Sequence, residues 1–233
     1  PINHLEGHLL SPSFNNKNIF PSLSFLLTGG HTQIYYIKAV GNYELIGQTK
    51  DDAIGESFDK VAKLLNLKYP GGPEIEKWAE NGNGNFFNLP HPLERENDLN
   101  FSFSGIKTAV SLIVKKNKKI DSNFKKNMAA SFQKKITDIL ERKLNLSMVY
   151  LNKNNKKIKT ISIVGGVASN KKIKSCLSII AKKNKFKLIC PPKYMFSDNA
   201  AMIAWTCIQK YKFNKKSNLN FKADPRLTIE STK

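Results

Sequence analysis

The chain has 233 residues, 40% of them hydrophobic, and a formal net charge of +20, enough length for one large domain or two small ones around an ample core. No apolar run approaches the ~20 residues of a membrane span and no signal peptide opens the sequence. Cys176, Cys190 and Cys207 are odd in number, lack CxxC spacing and read as free, mostly buried thiols, so a disulfide scaffold is excluded and a cytoplasmic protein is expected. The charge invites a polyanionic partner. The excess is almost all lysine, however, broken only by Arg95, Arg142 and Arg226, and runs such as NKNNKK are also what an AT-rich genome would encode.

Residues 3–10 (NHLEGHLL) read as a short helix capped by Asn3 and stopped by Ser11-Pro12. His4 and His8 are four apart and leave the same helix face, which is metal-ligand spacing; two surface histidines would look the same. Residues 23–40 (LSFLLTGGHTQIYYIKAV) are two strand-like runs around Gly29-Gly30, a tight hairpin. Glycine permits φ > 0 there, and the exposed N–H groups beside Thr28, His31 and Thr32 suit an anion. A plain hairpin turn would read identically.

Residues 43–49 form a third strand-like run, and Lys50-Asp51-Asp52 turns the chain. Residues 56–67 are an amphipathic helix with Phe58, Val61, Ala62, Leu64 and Leu65 facing in and Asp59 on the polar side. Residues 69–73 (YPGGP) read as a rigid turn. Residues 81–100 are a long loop whose Phe86, Phe87 and Leu89 argue against disorder. Residues 101–105 (FSFSG) lead into a helix through about Lys116. Another helix runs from about Phe124 to Tyr150, its core stripe formed by Phe132, Ile136, Leu140, Leu144 and Met148.

The lysine cluster at 153–159 is a solvated turn or a phosphate-contacting edge. Residues 160–164 (TISIV) are a strand ending in Gly165-Gly166, followed by a helix over 171–182; such junctions present ligands at strand carboxyl ends in α/β folds. Residues 187–190 give the next strand. Ser197 is then read as the cap of a helix over 198–209, which puts the Asp198 carboxylate at a helix N-terminus. The order of elements describes one lobe of an actin-like or RNase H-like α/β fold.

Seven motifs in order carry a resemblance: NHLEGH, LLTGGHTQ, DDAIGESFDKVAKLLNLKYPGGP, FSFSGIKT, MAASFQ, IVGGVASN and SDNAAMIAW. Together they resemble the tRNA N6-adenosine threonylcarbamoyltransferase (TsaD) family, once described as O-sialoglycoprotein endopeptidases, from Asn3 to about Lys210. The resemblance implies an actin-like (ASKHA, RNase H-like) α/β fold, chiefly the second lobe plus a helical insertion. It also implies transfer of the threonylcarbamoyl group of threonylcarbamoyl-AMP to N6 of adenosine 37 in tRNAs reading codons that start with A.

By the same resemblance His4, His8 and Asp198 match metal ligands. Leu26, Leu27, Thr28, Gly29 and Gly30 match a loop that contacts the activated substrate, and Asp59, Gly72 and Asn170 match positions that hold the nucleoside. One divalent metal per chain is implied, Fe2+ ahead of Zn2+. Implied partners are tRNA, a paralogous actin-like subunit and a P-loop ATPase subunit, with no membrane. The family begins with a lobe that has no counterpart ahead of Pro1, so a fragment is expected, inactive alone. Ala200 stands where the family often has glycine.

Two histidines and a carboxylate leave coordination positions open, and no residue stands out as a general base. A zinc peptidase would need H-E-x-x-H, but Leu5 follows His4 and Glu6 points away from the histidine face. A non-catalytic actin-like scaffold paralogue could lose the ligands that this chain keeps. A sugar kinase of the same superfamily would not require the histidine pair.

Overall fold

A computed structural model describes residues 1–94, 96–117, 119–213, 220–224 and 227–229; Arg95 and Arg226 lie outside the described residues. Asn3 starts the first helix as the sequence predicts. Its Oδ1 accepts the N–H groups of Leu5 and Glu6 at 2.9 and 3.3 Å, capping α1 (His4–Leu10). Ser11-Pro12 does not stop the chain at once, because a 3-10 turn carries it on to Phe14.

The hairpin forms from β1 (Ser22–Leu27) and β2 (Thr32–Ala39), and β3 (Asn42–Gln48) extends it antiparallel. β4 (Thr160–Val164) lies parallel to β1 on its other side, and β5 (Lys187–Ile189) lies parallel to β4. The order is β3-β2-β1-β4-β5. β1 is therefore central and buried at every position. Leu23, Phe25 and Leu27 enter the larger core, while Leu26 joins Ile37 and Val164 in a smaller one.

On the larger face pack α2 (Ile54–Leu64), α3 (Gly71–Ala79), α4 (Ser104–Lys116), α5 (Ser122–Lys153) and α6 (Lys171–Lys183). α5 is 32 residues, about 48 Å long; Phe132, Ile136, Leu140 and Leu144 are buried and Met148 partly so. Among the described residues no helix is long and apolar enough to cross a membrane. On the opposite face Leu5, Leu9 and Leu10 of α1 cover the smaller core, and α7 (Ala200–Lys212) packs against α1. The approach is closest at Gly7, where a Cβ would lie 3.0 Å from Ile203 Cδ1.

Several expectations need correction. Residues 71–73 are not a turn but the first turn of α3. Gly71 is required because a Cβ would sit 2.7 Å from the Cα of Asp59 on α2. The helix expected over 56–67 starts at Ile54 and ends at Leu64. Asn199, not Ser197, caps α7 by accepting Met202 N–H at 2.8 Å, so Asp198 precedes the helix, Ala200 opens it, and it runs to Lys212. Positive φ occurs at Gly41 and Gly165 but not at Gly29 or Gly30. The cysteines are free but not buried: Cys176 and Cys190 are half-buried and Cys207 is exposed.

Candidate functional site

Residues from the two ends of the chain meet beside the first turn of α1. The Nε2 atoms of His4 and His8 lie 3.3 and 3.0 Å from Oδ1 of Asp198. The imidazoles stand 5.0 Å apart, nearly perpendicular, and one ligand atom from each of the three residues falls within 4.8 Å of the others. His8 is buried, whereas the Asp198 side chain is 75% exposed. Burial holds the pKa of His8 below its ordinary value, His4 adds to this, and Asp198 opposes it. A neutral imidazole is the form that binds a metal. Two imidazoles and a carboxylate converging with an open side suit a divalent first-row ion.

Glu6 takes no part in this cluster. It is buried, accepting the Tyr43 hydroxyl at 2.8 Å and the Lys210 ammonium at 3.1 Å. Burial first, and then the Glu6 charge, push the Tyr43 hydroxyl far above its ordinary range. A peptidase would need this carboxylate free to reach a metal-bound water, and the fold has committed it to joining α1, β3 and α7.

A cleft of about 320 Å³ opens at the carboxyl ends of β1 and β4. Gly29, Asp59, Gly72 and Asn170 all line it, so the structure brings together four of the residues expected to meet substrate. A Cβ at Gly29, Gly30, Gly72 or Gly166 would touch nothing within 4 Å, which leaves their backbones open to a ligand. Gly165 is different: its φ is +91° and a Cβ would lie 2.5 Å from Leu27 O. There glycine lets the β4 loop close on the β1 loop.

Local bonds explain why these groups stay in place. Thr28 Oγ1 accepts the N–H groups of Gly30 and His31 at 3.3 and 2.9 Å, so two of the amides expected to greet an anion are already spent. Gly55 N–H donates to Thr28 O at 3.2 Å and Ile54 N–H to Thr32 Oγ1 at 2.8 Å, docking the start of α2 on the hairpin. Asp59 Oδ1 accepts the Gly71 N–H at 2.7 Å. Asn170 caps α6 through Ile173 N–H and donates to Gln133 Oε1 at 2.9 Å. Leu26 and Leu27 are fully buried, backbone included, and neither lines the cleft.

Sequence reading missed Glu76, which lines the cleft and accepts the Lys171 N–H at 2.6 Å. It sits on α3, the helix that the PGGP signal concealed. Ser197 also lines the cleft, one residue before Asp198. His31, two residues beyond Gly29, flanks the same recess as His4, and its pKa is held down by burial and then by His4. Cleft and histidine cluster are thus joined by two short runs, 29–31 and 197–198.

The model of the family described as tRNA N6-adenosine threonylcarbamoyltransferase, TsaD, matches residues 1–205. The chain belongs to the TsaD family. Curated TsaD relatives include proteins of Pelagibacter ubique, 43% identical over 231 residues, Rickettsia massiliae, 42% over 231, and Thermosipho melanesiensis, 46% over 230. Each match takes in 98–99% of this chain and 64–67% of the relative, so the chain spans about two thirds of the length of these TsaD proteins.

Among solved structures, full-length HypF in its phosphate- and nucleotide-bound form aligns over 93% of this chain and 36% of its own, with TM-score 0.67 and 12% identity. Component A of Acidaminococcus fermentans (R)-2-hydroxyglutaryl-CoA dehydratase aligns over 92% and 70%, with TM-score 0.53 and 16% identity. At such identities the likeness is one of fold, and it is the actin-like α/β fold of the TsaD family.

Proposed function

We propose that this chain forms the catalytic cleft for moving a threonylcarbamoyl group from threonylcarbamoyl-AMP to N6 of adenosine 37 in tRNAs that read codons starting with A. The activity proposed is that of the whole protein, since the chain spans about two thirds of its relatives. One observation carries the reading: the His4, His8 and Asp198 donors adjoin, through residues 29–31 and 197–198, a cleft lined by open glycines and Asp59.

In the proposed reaction N6 attacks the carbamoyl carbon, the bond from that carbon to the adenylate phosphate oxygen breaks, AMP departs and N6 gives up a proton. Asp59 accepts from the nucleoside's hydroxyls while Gly72 and Gly166 let its ring approach the backbone. The Gly29 backbone, on the cleft side of the hairpin turn, faces the acyl phosphate. A divalent ion on His4, His8 and Asp198, iron ahead of zinc, would polarise the anhydride and neutralise the departing phosphate. The N6 amine is a weak nucleophile, so positioning and preset electrostatics do most of the work. A paralogous actin-like subunit and a P-loop ATPase subunit, in the cytoplasm, complete the proposed system.

The test is mass spectrometry of nucleosides from unmodified tRNA incubated with threonylcarbamoyl-AMP, the protein and its partner subunits. Threonylcarbamoyladenosine formed by wild type and reduced at least tenfold in Asp198→Ala supports the reading. No product with the complete set of components overturns it.

A further inference from the structure

At the end of the sheet opposite the cleft, a groove of about 540 Å³ has several lysines along it and, among the described residues, no aspartate or glutamate. It lies where β1 and β4 begin, with Ser22 opposite Thr160, and where β2 ends. Lys17, Lys38, Lys159 and Lys212 line it, and all four are exposed. Some lysines elsewhere are held by carboxylates, as Lys60 is by Asp52 and Glu56, Lys50 by Glu96 and Asp98, and Lys156 by Glu44. Coding bias would scatter lysine without clearing the acids from one groove.

The same groove has an aromatic wall. Phe14 and Trp205 meet edge to face with centroids 5.1 Å apart, and Phe14 is 40% exposed. Trp205 Nε1 donates to Ser13 Oγ at 2.8 Å, which fixes the indole, and Lys212 Nζ lies 6.0 Å above its ring. Lysines around a rigid aromatic face are the means by which proteins hold a nucleic-acid strand without reading its sequence.

We propose that this groove is a second tRNA contact, with strand phosphates against Lys17, Lys38, Lys159 and Lys212 and a base or ribose edge against Phe14 and Trp205. The proposal rests on the transferase reading for its RNA. The groove and the cleft lie at opposite ends of β1, whose six residues span about 17–20 Å. A folded RNA reaches both sites at once, and a mononucleotide reaches one. A recessed groove with fixed rings also suits a strand better than a lipid surface, which would need rings that protrude.

The experiment measures tRNA affinity against salt for wild type, for a groove variant (Lys17→Gln, Lys38→Gln, Lys159→Gln, Lys212→Gln) and for an equal-charge control on and after α6 (Lys174→Gln, Lys182→Gln, Lys183→Gln, Lys187→Gln). Circular dichroism confirms that each variant folds, and Lys→Arg at the four groove positions tests rescue. The groove variant should lose about 0.7–0.9 units of log–log salt slope per phosphate contact removed, up to about 3 units in all. The control should lose less than one, and Arg should restore the slope. Trp205→Ala should weaken binding about 5- to 30-fold at fixed salt. Equal losses in groove and control variants overturn the groove while leaving the transferase reading intact. Anionic vesicles released by the groove substitutions, with tRNA affinity unchanged, overturn it in favour of a membrane. Wild type that binds no tRNA at low salt overturns both readings together.

Discussion

The Asp51 carboxylate caps α4 from 52 residues away: its Oδ1 accepts the Phe103 N–H at 2.8 Å. It also accepts the Ser104 N–H at 3.3 Å and the hydroxyls of Ser102 and Ser104, so the FSFSG stretch reads as the partner of the β3–α2 turn. Burial alone would raise the Asp51 pKa, but these hydrogen bonds outweigh it and hold the group below its ordinary 3.8. A carboxylate with a depressed folded pKa adds stability in full above its unfolded value and loses it as pH falls through the folded one. Asp51→Asn should therefore lower stability at pH 7 by about 0.5–1.5 kcal/mol, allowing for its partial exposure. Between pH 4 and 2 the variant should lose less stability than wild type. Urea titrations at pH 7, 4, 3 and 2 measure this; parallel curves would mean that the carboxylate is not the acid-sensitive cap.

The buried Glu6 is a stability test. Glu6→Ala strands the Lys210 ammonium, only 12% exposed, together with the Tyr43 hydroxyl. Removing one member of a buried ion pair costs about 3–5 kcal/mol. Chemical denaturation should show a loss of that order, with Glu6→Gln recovering part of it through its amide oxygen. A loss under 1 kcal/mol in Glu6→Ala would contradict the proposed role of the network.

Metal content comes next. The His4, His8 and Asp198 geometry leads us to expect about one divalent ion per chain in protein purified without chelator, with His8→Ala and Asp198→Ala falling below about a tenth of that by elemental analysis. Chelation should lower the melting temperature of wild type and leave both variants unmoved, because an ion at about 100 times its Kd contributes about 2.7 kcal/mol. Wild-type metal content in both variants would rule out this site.

Asp59 and Asn170 should separate when each is replaced. Asp59→Asn keeps an oxygen for the Gly71 N–H and removes a charge. Binding of a stable adenylate analogue should then weaken by about 1.5–3 kcal/mol, with little change in melting. Asn170→Ala loses the α6 cap and leaves Gln133 Oε1 without its donor, so it should destabilise the fold by about 1–3 kcal/mol as well as weaken binding. Calorimetry with full affinity in both variants would remove these residues from the nucleoside site.

What was legible in the sequence is local in origin. The 160–164 strand was readable to the residue because Gly165 must end it, and the hairpin because two β-rich runs flank two glycines. α1 was readable because Asn3 caps it within three residues. The failures share a cause in tertiary contact. PGGP looks like a helix breaker, yet Asp59 accepts the first N–H of α3 and the missing Cβ of Gly71 lets α2 come close. Ser197 and Asn199 are both good caps, and the choice between them is made where Asp198 meets His8, 190 residues back in the chain. The anion-friendly amides of Gly30 and His31 could not be seen to be spent, because the hydroxyl that takes them is defined only by the folded turn.

The distance in sequence between His8 and Asp198 also has a meaning in time. Chains leave the ribosome from the N-terminus at about 5–20 residues per second, so some 10–40 s separate synthesis of the histidines from arrival of their carboxylate partner. Throughout that interval the histidine helix lacks both Asp198 and Lys210. The hairpin and α2 can already close on one another through Ile54 and Thr32. The three-ligand cluster therefore cannot close until the segment ahead of α7 has been made, and a chain stopped before Asp198 would carry a formed hairpin with two of the three donors.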